Sequence, residues 1–397
     1  MRARQLPRKL IYLELLDSLL DVDGGEGRAR YRLSRDFRWV FEEGWEIERW
    51  GLLRSNRAYP SKRGSLRGPT LPLRAFPRVL LPVVVWTTQF VQSLLRPRAG
   101  ILVAYDPIMG TGAAAARFLR RRSSVLVVRI ISDFSSRARL LYGKRVESRI
   151  LRALERFALR RADLVLPIGP FTHELALQAG VPEERIQELP HPPRGFGTEI
   201  PPVHHQSPPR VTAAGRFVPE KGFDVVLMAF AQIVDEFPDV TLDVAGDGPL
   251  RSDLEGLATS LEIADRVRFR GWLAPHLMPG FLGGSLAFVL QSRINEGFPM
   301  VLVEAGLGGC ALIGTDVGGI RDTVHPDRTG ILVPPNDPGA LADALRTLLL
   351  DPDRARRLGA GAQAEARAYF GRRDEAVQRV RERLSAFRER RRDVAER

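Results

Sequence analysis

A nine-residue segment in the second half of the chain combines two cations with glycines in a pattern suited to phosphate binding. Residues 215–223 read GRFVPEKGF, so Arg216 and Lys221 share one loop. The apolar residues before this loop predict a buried strand, and Gly222 stands where a helix would begin. A guanidinium, an ammonium and the N–H groups of a helix start can together bind a phosphate. Since cations are common in loops, a solvated loop is the alternative.

Two acids form the second candidate constellation. Residues 296–304 read EGFPMVLVE, which places Glu296 and Glu304 eight positions apart. Pro299 suits the first position of a helix, so Glu296 is expected just before the helix and Glu304 within it. N–H groups after Pro299 would be anion donors. Acids at this spacing arise readily by chance, so the pair is informative only together with its neighbours.

The elements that must position these residues alternate between strands and helices in both halves of the chain. This alternation predicts an α/β protein of two doubly wound, Rossmann-like domains that face each other across a cleft. Ligands of such sheets bind beyond the carboxyl ends of the strands, where both candidate segments fall.

The length of 397 residues also favours two domains. Residues 190–209 contain seven prolines and no apolar pattern, which indicates a linker. We therefore expect a first domain over 1–195, a proline-rich linker over 196–209 and a second domain over 210–373. A final helix over 374–397 is expected to pack back on the first domain.

The net charge of +13 is unevenly distributed. Residues 1–200 hold 35 basic and 20 acidic residues, whereas the remainder is almost balanced. A solvated arginine-rich surface and a surface for phosphates, nucleic acid or anionic lipid are both compatible with this charge. A nucleic-acid-binding protein is disfavoured, because the chain has no recognisable reading motif.

Further features bear on the compartment. A single cysteine, Cys310, excludes an intramolecular disulfide and any cysteine-rich metal site. The apolar run after the basic start is interrupted by acids, so we expect no export signal and a cytoplasmic protein. The uncharged run over 79–95 is shorter than the roughly 20 residues that span a bilayer. It predicts either a buried helix or an interfacial element at the inner face of the membrane.

The second half of the chain resembles glycosyltransferase family 4, the retaining enzymes of GT-B fold. The similarity covers nearly all of residues 210–350, and its motifs occur in the order and spacing of that family. The matching stretches are GRFVPEKGFDVVLMAF, LDVAGDGPLRSDLE, VRFRGWL, EGFPMVLVEAGLGGCALIGTDVGGIRDTV and TGILVPPNDPGALADAL.

The resemblance implies a role for each residue of the two constellations. Arg216 and Lys221 would hold the donor diphosphate, Glu296 would lie near the transferred sugar and its phosphate, and Glu304 would bind the nucleotide ribose. The cations and the helix dipole would take the role that a metal has elsewhere, so no metal or other cofactor is expected. The other implied donor-binding positions are Gly215, Gly271, Trp272, Leu273, Phe298, Pro299, Met300 and Val301.

The first half resembles the family less. Gly24 and Gly25 are similar to the glycine-rich loop that faces the donor sugar. The family often has a histidine at the end of the strand over 125–131, where this chain has Ser132 and Asp133. Asp133 is the candidate that would replace this histidine as a hydrogen-bond acceptor in the catalytic group.

The resulting expectation is a retaining transferase that moves a hexose-type sugar from a nucleotide diphosphate to an acceptor hydroxyl. The acceptor could be lipid-linked, a polysaccharide or a small molecule. A non-enzymatic or degenerate nucleotide-sugar-binding protein, or another GT-B enzyme such as an epimerase or a phosphorylase, remains an alternative.

Overall fold

The structure, a computed structural model, describes residues 9–14, 46–51, 101–104, 107–120, 125–133, 145–191, 195–196, 203 and 205–396. The chain divides into two compact units. One comprises Met1–Leu189 with Asp374–Arg397, and the other comprises Pro190–Arg373.

The first unit contains a parallel sheet of five strands in the order β2-β1-β3-β4-β5. A reversal of strand order between β1 and β3 makes this sheet doubly wound. Its elements are β1 Lys9–Glu14, β2 Glu46–Gly51, β3 Ile101–Ala104, α1 Pro107–Arg120, β4 Val125–Ile130, α2 Arg145–Arg161, β5 Leu164–Pro167 and α3 Pro170–Gln178.

Apolar side chains cover both faces of this sheet. Alternate residues of β3 and β4, such as Leu102 and Val128, pack on one face with α1, α2 and α3. The opposite residues, such as Val103 and Val127, pack against residues 376–384 near the chain end. Such nearly continuous apolar strands are typical of parallel sheets buried on both sides.

The second unit contains a parallel sheet of six strands in the order β11-β10-β9-β6-β7-β8. Its order reverses between β6 and β9, the dinucleotide-fold arrangement. Its elements are β6 Arg210–Ala214, α4 Phe223–Ala231, β7 Thr241–Ala245, α5 Arg251–Ser260, β8 Val267–Gly271, α6 Met278–Leu282, β9 Ala287–Leu290, α7 Met300–Leu307, β10 Ala311–Thr315, β11 Gly330–Val333, α8 Pro338–Leu350 and α9 Pro352–Glu396.

Two apolar layers enclose this second sheet. Helices α4, α5 and α8 pack on one face, and α6, α7 and part of α9 pack on the other. Cys310 lies in the second layer, where burial raises the pKa of its thiol to about 12. The thiol is therefore protonated at neutral pH and is not a nucleophile.

The last helix differs from its predicted bounds. The sequence predicted a helix from residue 374, but α9 runs without interruption from Pro352 to Glu396. The additional helical stretch contains three residues of low helix propensity, namely Gly359, Gly361 and Gly371. Ala376, Val377, Val380 and Leu384 of α9 belong to the core of the first unit.

The proline-rich segment over 196–209 also differs from a simple linker where the structure describes it. Phe196 packs against the core layer that contains Phe281 and Leu302. His205 pairs with Gly284, and the Gln206 N–H donates to the Gly284 carbonyl at 2.8 Å. These residues belong to the second unit, which begins at Pro190.

None of the helices within the described ranges is long and apolar enough to cross a membrane. The uncharged run over 79–95 lies outside those ranges.

Close backbone packing of α9 predicts opposite effects for two glycine substitutions in it. A Cβ atom at Gly361 would lie 1.9 Å from the Arg328 carbonyl oxygen, whereas a Cβ at exposed Gly371 would meet nothing within 4 Å. We expect Gly361→Ala to lower the free energy of unfolding by about 1–3 kcal/mol. Gly371→Ala should raise it by up to about 1 kcal/mol through helix propensity. Urea denaturation measures both, and equal effects of the two variants would contradict the packing.

Candidate active site

The two constellations meet at the carboxyl edge of the second sheet. Residues 215–222 follow β6, and residues 291–299 follow β9. Because β6 and β9 are neighbours on either side of the order reversal, their following loops adjoin each other. This edge is the position where open α/β sheets bind ligands.

An ion pair joins the two loops. Lys221 Nζ lies 2.5 Å from Glu296 Oε1, and their side chains are only 19% and 17% exposed. Ser292 Oγ donates to the same carboxylate oxygen at 2.7 Å. The Gly319 N–H, in the loop after β10, donates to the Glu296 carbonyl at 2.8 Å. Three loops thus hold Glu296 in one orientation with its charge compensated.

Gly222 allows the two loops to approach this closely. Its φ of +58° is in the left-handed region that favours glycine. A Cβ atom here would lie 2.3 Å from the carbonyl oxygen of Gln291, the first residue after β9. A side chain at position 222 would therefore separate Lys221 from Glu296.

Arg293, in the loop over 291–299, stabilises the loop over 215–222 that carries the two cations. Its guanidinium donates to the Pro219 carbonyl at 2.6 Å, to Asp224 Oδ2 at 2.6 Å and to Asn336 Oδ1 at 2.5 Å. The Arg293 N–H also donates to the Glu220 carbonyl at 2.8 Å. These bonds fix the short 3-10 helix Pro219–Lys221, which ends with the lysine of the ion pair.

Helix α7 carries the second acid. It begins at Met300, so Pro299 is its N-cap rather than its first helical residue. Glu304 lies in the second turn and is 6% exposed, and Phe298, before the helix, is 8% exposed. Met300 and Val301 occupy the first turn, whose N–H groups have no partner within the helix itself.

The remaining predicted donor-binding residues lie at the carboxyl ends of β6 and β8, on the same edge of the sheet. Gly215 and Arg216 directly follow β6, and the Gly215 N–H donates to the Ala245 carbonyl at 3.0 Å. Gly271 ends β8 with a φ of +67°. Trp272, which follows it, is 44% exposed, and Leu273 packs on the core layer beneath.

The predicted residues of the first half are placed separately or lie outside the described ranges. Asp133 is in the first unit, three residues after β4, and is 9% exposed. Gly24 and Gly25 lie outside the described residues. Among the residues that the structure describes, no three His, Cys, Asp or Glu side chains form a group that could hold a metal ion.

Sequence reasoning missed three residues that support the site: Ser292, Arg293 and Tyr369. The sequence signal for Ser292 and Arg293 is their position, since they are the second and third residues after β9. Tyr369 lies far away in sequence but stacks on Phe298, with ring centroids 4.7 Å apart and an interplanar angle of 15°. No local pattern marks it.

Comparison with known families covers both halves of the chain. Residues 24–192 match the family described as Glycosyl transferase 4-like domain, and residues 199–365 match Glycosyl transferases group 1. An alpha-D-kanosaminyltransferase from Streptomyces kanamyceticus is 31% identical over 64% of this chain and 69% of its own length. The chain belongs to glycosyltransferase family 4.

Other relatives of this glycosyltransferase match smaller fractions of the two chains. A 2-deoxystreptamine glucosyltransferase from Streptomyces kanamyceticus is 29% identical over 52% of this chain and 57% of its own length. A GDP-mannose-dependent alpha-(1-6)-phosphatidylinositol monomannoside mannosyltransferase from Mycobacterium tuberculosis is 32% identical over 38% and 41%. The chain therefore spans about half the length of these two enzymes.

Solved structures show that the glycosyltransferase has the GT-B fold. Sucrose-phosphate synthase from Thermosynechococcus elongatus superposes with a TM-score of 0.72 at 22% identity, over 97% of this chain and 99% of that one. The Anabaena protein HepE, solved with UDP-glucose, gives 0.66 at 22% identity over 95% and 99%. The predicted α/β class and GT-B architecture are confirmed.

The Arg293 contacts predict that replacing its planar guanidinium lowers turnover more than it lowers stability. Arg293→Lys cannot reach Pro219, Asp224 and Asn336 together, so the 219–221 turn should loosen. We expect a stability loss of about 1 kcal/mol, with a larger relative loss of turnover, measured by thermal denaturation and initial rates. Arg357→Lys, at an exposed pair of 3.9 Å, is the matched control and should change neither. Equal behaviour of the two variants would contradict the assigned role.

Proposed function

We propose that this glycosyltransferase is a retaining enzyme that moves a hexose-type sugar from a nucleotide diphosphate to an acceptor hydroxyl. The observation that carries the proposal is the Lys221–Glu296 ion pair at the reversal of strand order in the second sheet. A cation and an oriented carboxylate at this edge suit a ligand with both phosphates and hydroxyls.

In this proposal each part of the donor contacts a different loop or helix start of the second unit. Arg216 and Lys221 bind the diphosphate together with the N–H groups at Met300 and Val301. Glu304 accepts hydrogen bonds from the ribose hydroxyls, and the backbone at 271–273 borders the base. Glu296 binds the transferred sugar, and its carboxylate is oriented for this by Lys221 and Ser292.

The bond changes follow from the same roles. The bond between the anomeric carbon and the diphosphate oxygen breaks, and its electron pair stays with the phosphate. The cations and the start of α7 stabilise that charge as it develops. The acceptor oxygen bonds to the anomeric carbon on the face that the phosphate leaves, and its proton passes to the departing phosphate. Asp133 is proposed to bind a sugar or acceptor hydroxyl.

This chemistry assigns to arginine, lysine and backbone N–H groups the charge stabilisation that a divalent cation supplies elsewhere. We therefore propose that turnover needs no added metal. Retention of activity after dialysis against EDTA is the corresponding measurement.

Donor binding by the wild type is the primary test. A thermal-shift panel of UDP-, GDP-, ADP- and dTDP-sugars without added metal should raise the melting temperature with one nucleotide. For that donor we expect Lys221→Ala to raise Kd about 10- to 100-fold, because a charged hydrogen bond to phosphate is lost. Glu304→Ala should raise it about 10-fold through the ribose.

Arg266→Ala is the matched control for both variants. Arg266 precedes β8 at the amino edge of the sheet, opposite the candidate site, and pairs with exposed Asp265. The Arg266→Ala variant should bind the donor with the affinity of the wild type. Wild-type affinity in Lys221→Ala and Glu304→Ala would refute the site assignment. Donor binding without transfer to any acceptor would favour the degenerate GT-B alternative.

We also propose that the acceptor lies at an anionic membrane surface, on the inner face of the membrane. On α2, Arg149, Arg152 and Arg156 are exposed at three- and four-residue spacing, which aligns them along one face. Ile150 beside them is 56% exposed. Each such arginine contributes about 1 kcal/mol near an anionic lipid surface.

Vesicle binding tests this face directly. Wild-type protein should sediment with phosphatidylcholine vesicles that contain phosphatidylglycerol, but not with pure phosphatidylcholine, and high salt should release it. Replacing Arg149, Arg152 and Arg156 by serine should weaken binding roughly 100-fold. The same change at exposed Arg356, Arg357 and Arg372 of α9 serves as the charge-matched control. Equal losses in both triple variants, or binding to neutral vesicles, would count against α2 as the contact.

A further inference from the structure

One tyrosine on α9 lies close to both points where the chain passes between the two units. The chain enters the second unit at Leu189–Pro190 and leaves it at Arg373–Asp374. Tyr369 precedes the second crossing by four residues and is 6% exposed. His191, which is 8% exposed, follows the first crossing directly.

The hydroxyl of Tyr369 contacts the first crossing. The His191 N–H donates to Tyr369 Oη at 3.0 Å. The same oxygen lies 3.8 Å from Met300 Sδ, to which its proton is donated. One polar atom therefore connects the start of the second unit with the first residue of α7.

The ring of Tyr369 contacts the other side of the same turn. It stacks on Phe298 in a nearly parallel arrangement, and Phe370 packs against its edge with centroids 5.3 Å apart. Phe298 and Met300 flank Pro299, the N-cap of α7. Stacked rings have a defined relative orientation, so a shift of Phe298 must be followed by Tyr369 or break the stack.

We propose that Tyr369 is a positioning residue that couples the turn at 298–300 to the chain crossing at Leu189–Pro190. The inference rests on the proposed function only in taking this turn as part of the donor site. A diphosphate at the start of α7 moves or stiffens Phe298 and Met300, and Tyr369 passes this change to the His191 hydrogen bond. Because such coupling is reciprocal, loss of the bond also weakens donor binding.

Hydrogen–deuterium exchange gives a readout at a single amide. Residues 190–193 read PHPP, and proline has no N–H, so His191 is the one exchangeable backbone amide among them. We expect saturation with the donor identified in the panel to slow exchange at His191 about 5-fold or more in the wild type. In Tyr369→Phe the stack remains but the hydroxyl is lost. Exchange there should be fast with and without donor, and the donor Kd should rise about 5-fold.

Gln363→Leu provides the matched variant. Gln363 lies on the same helix, is buried, and donates to the Leu307 carbonyl at the end of α7. Loss of this hydrogen bond in Gln363→Leu should lower stability about as much as Tyr369→Phe does. The donor should nevertheless still slow amide exchange at His191.

The outcomes separate the two proposals. Donor binding without a change in exchange at His191 overturns the coupling alone, as does an unaltered response in Tyr369→Phe. If Gln363→Leu reduces the donor-induced slowing of exchange at His191 as much as Tyr369→Phe does, the role of Tyr369 is merely structural. This outcome too overturns the coupling. Absence of binding by the wild type across the panel overturns the proposed function, and the coupling with it.

Discussion

The reversal of strand order between β6 and β9 is the constraint on which the candidate site depends. The helices that follow these neighbouring strands pack on opposite faces of the sheet, α4 in one apolar layer and α7 in the other. The loops that lead into them must diverge and leave room at the edge between them. This geometry brings Lys221 and Glu296, 75 residues apart in sequence, within 2.5 Å of each other.

The ion pair also resolves a conflict within the proposed chemistry. A carboxylate near a diphosphate would repel it, yet a carboxylate is useful for binding sugar hydroxyls. Lys221 compensates the charge of Glu296 while Ser292 fixes its orientation, so the acid can face the ligand without a net negative charge at the edge. Arg293 holds the lysine's turn in place through the Pro219 carbonyl, and this contact makes the arrangement preorganised rather than assembled on binding.

Sequence patterns predicted the parts of this architecture that depend on local order. Alternating strands and helices gave the α/β class, and residues 215–223 and 296–304 were placed at strand ends because apolar runs precede them. The contacts of Arg293 and Tyr369 could not be predicted, since they join segments 43 to 178 residues apart that only the tertiary fold brings together. The start of α9 was mispredicted for a related reason. Gly359 and Gly361 weaken a helix in isolation, but they allow α9 to contact the backbone at Gly309 and Arg328.

The arginine content, which gave the sequence its basic character, is in part structural. Guanidinium groups donate to backbone carbonyls throughout the described residues: Arg129 to Leu189, Arg160 to Ala179, Arg210 to Gly283, Arg346 to Gln232 and Arg383 to Glu184 and Ile186. A planar fork with five donors can satisfy several such acceptors, which a lysine cannot do with the same geometry. Arg129 is fully buried, so its charge is not presented to any surface partner. Net charge alone therefore overstates the basic surface, and a partner must be argued from exposed arginines in a defined arrangement. Helix α2 meets that condition with Arg149, Arg152 and Arg156, because their side chains are exposed and their spacing places them on one face.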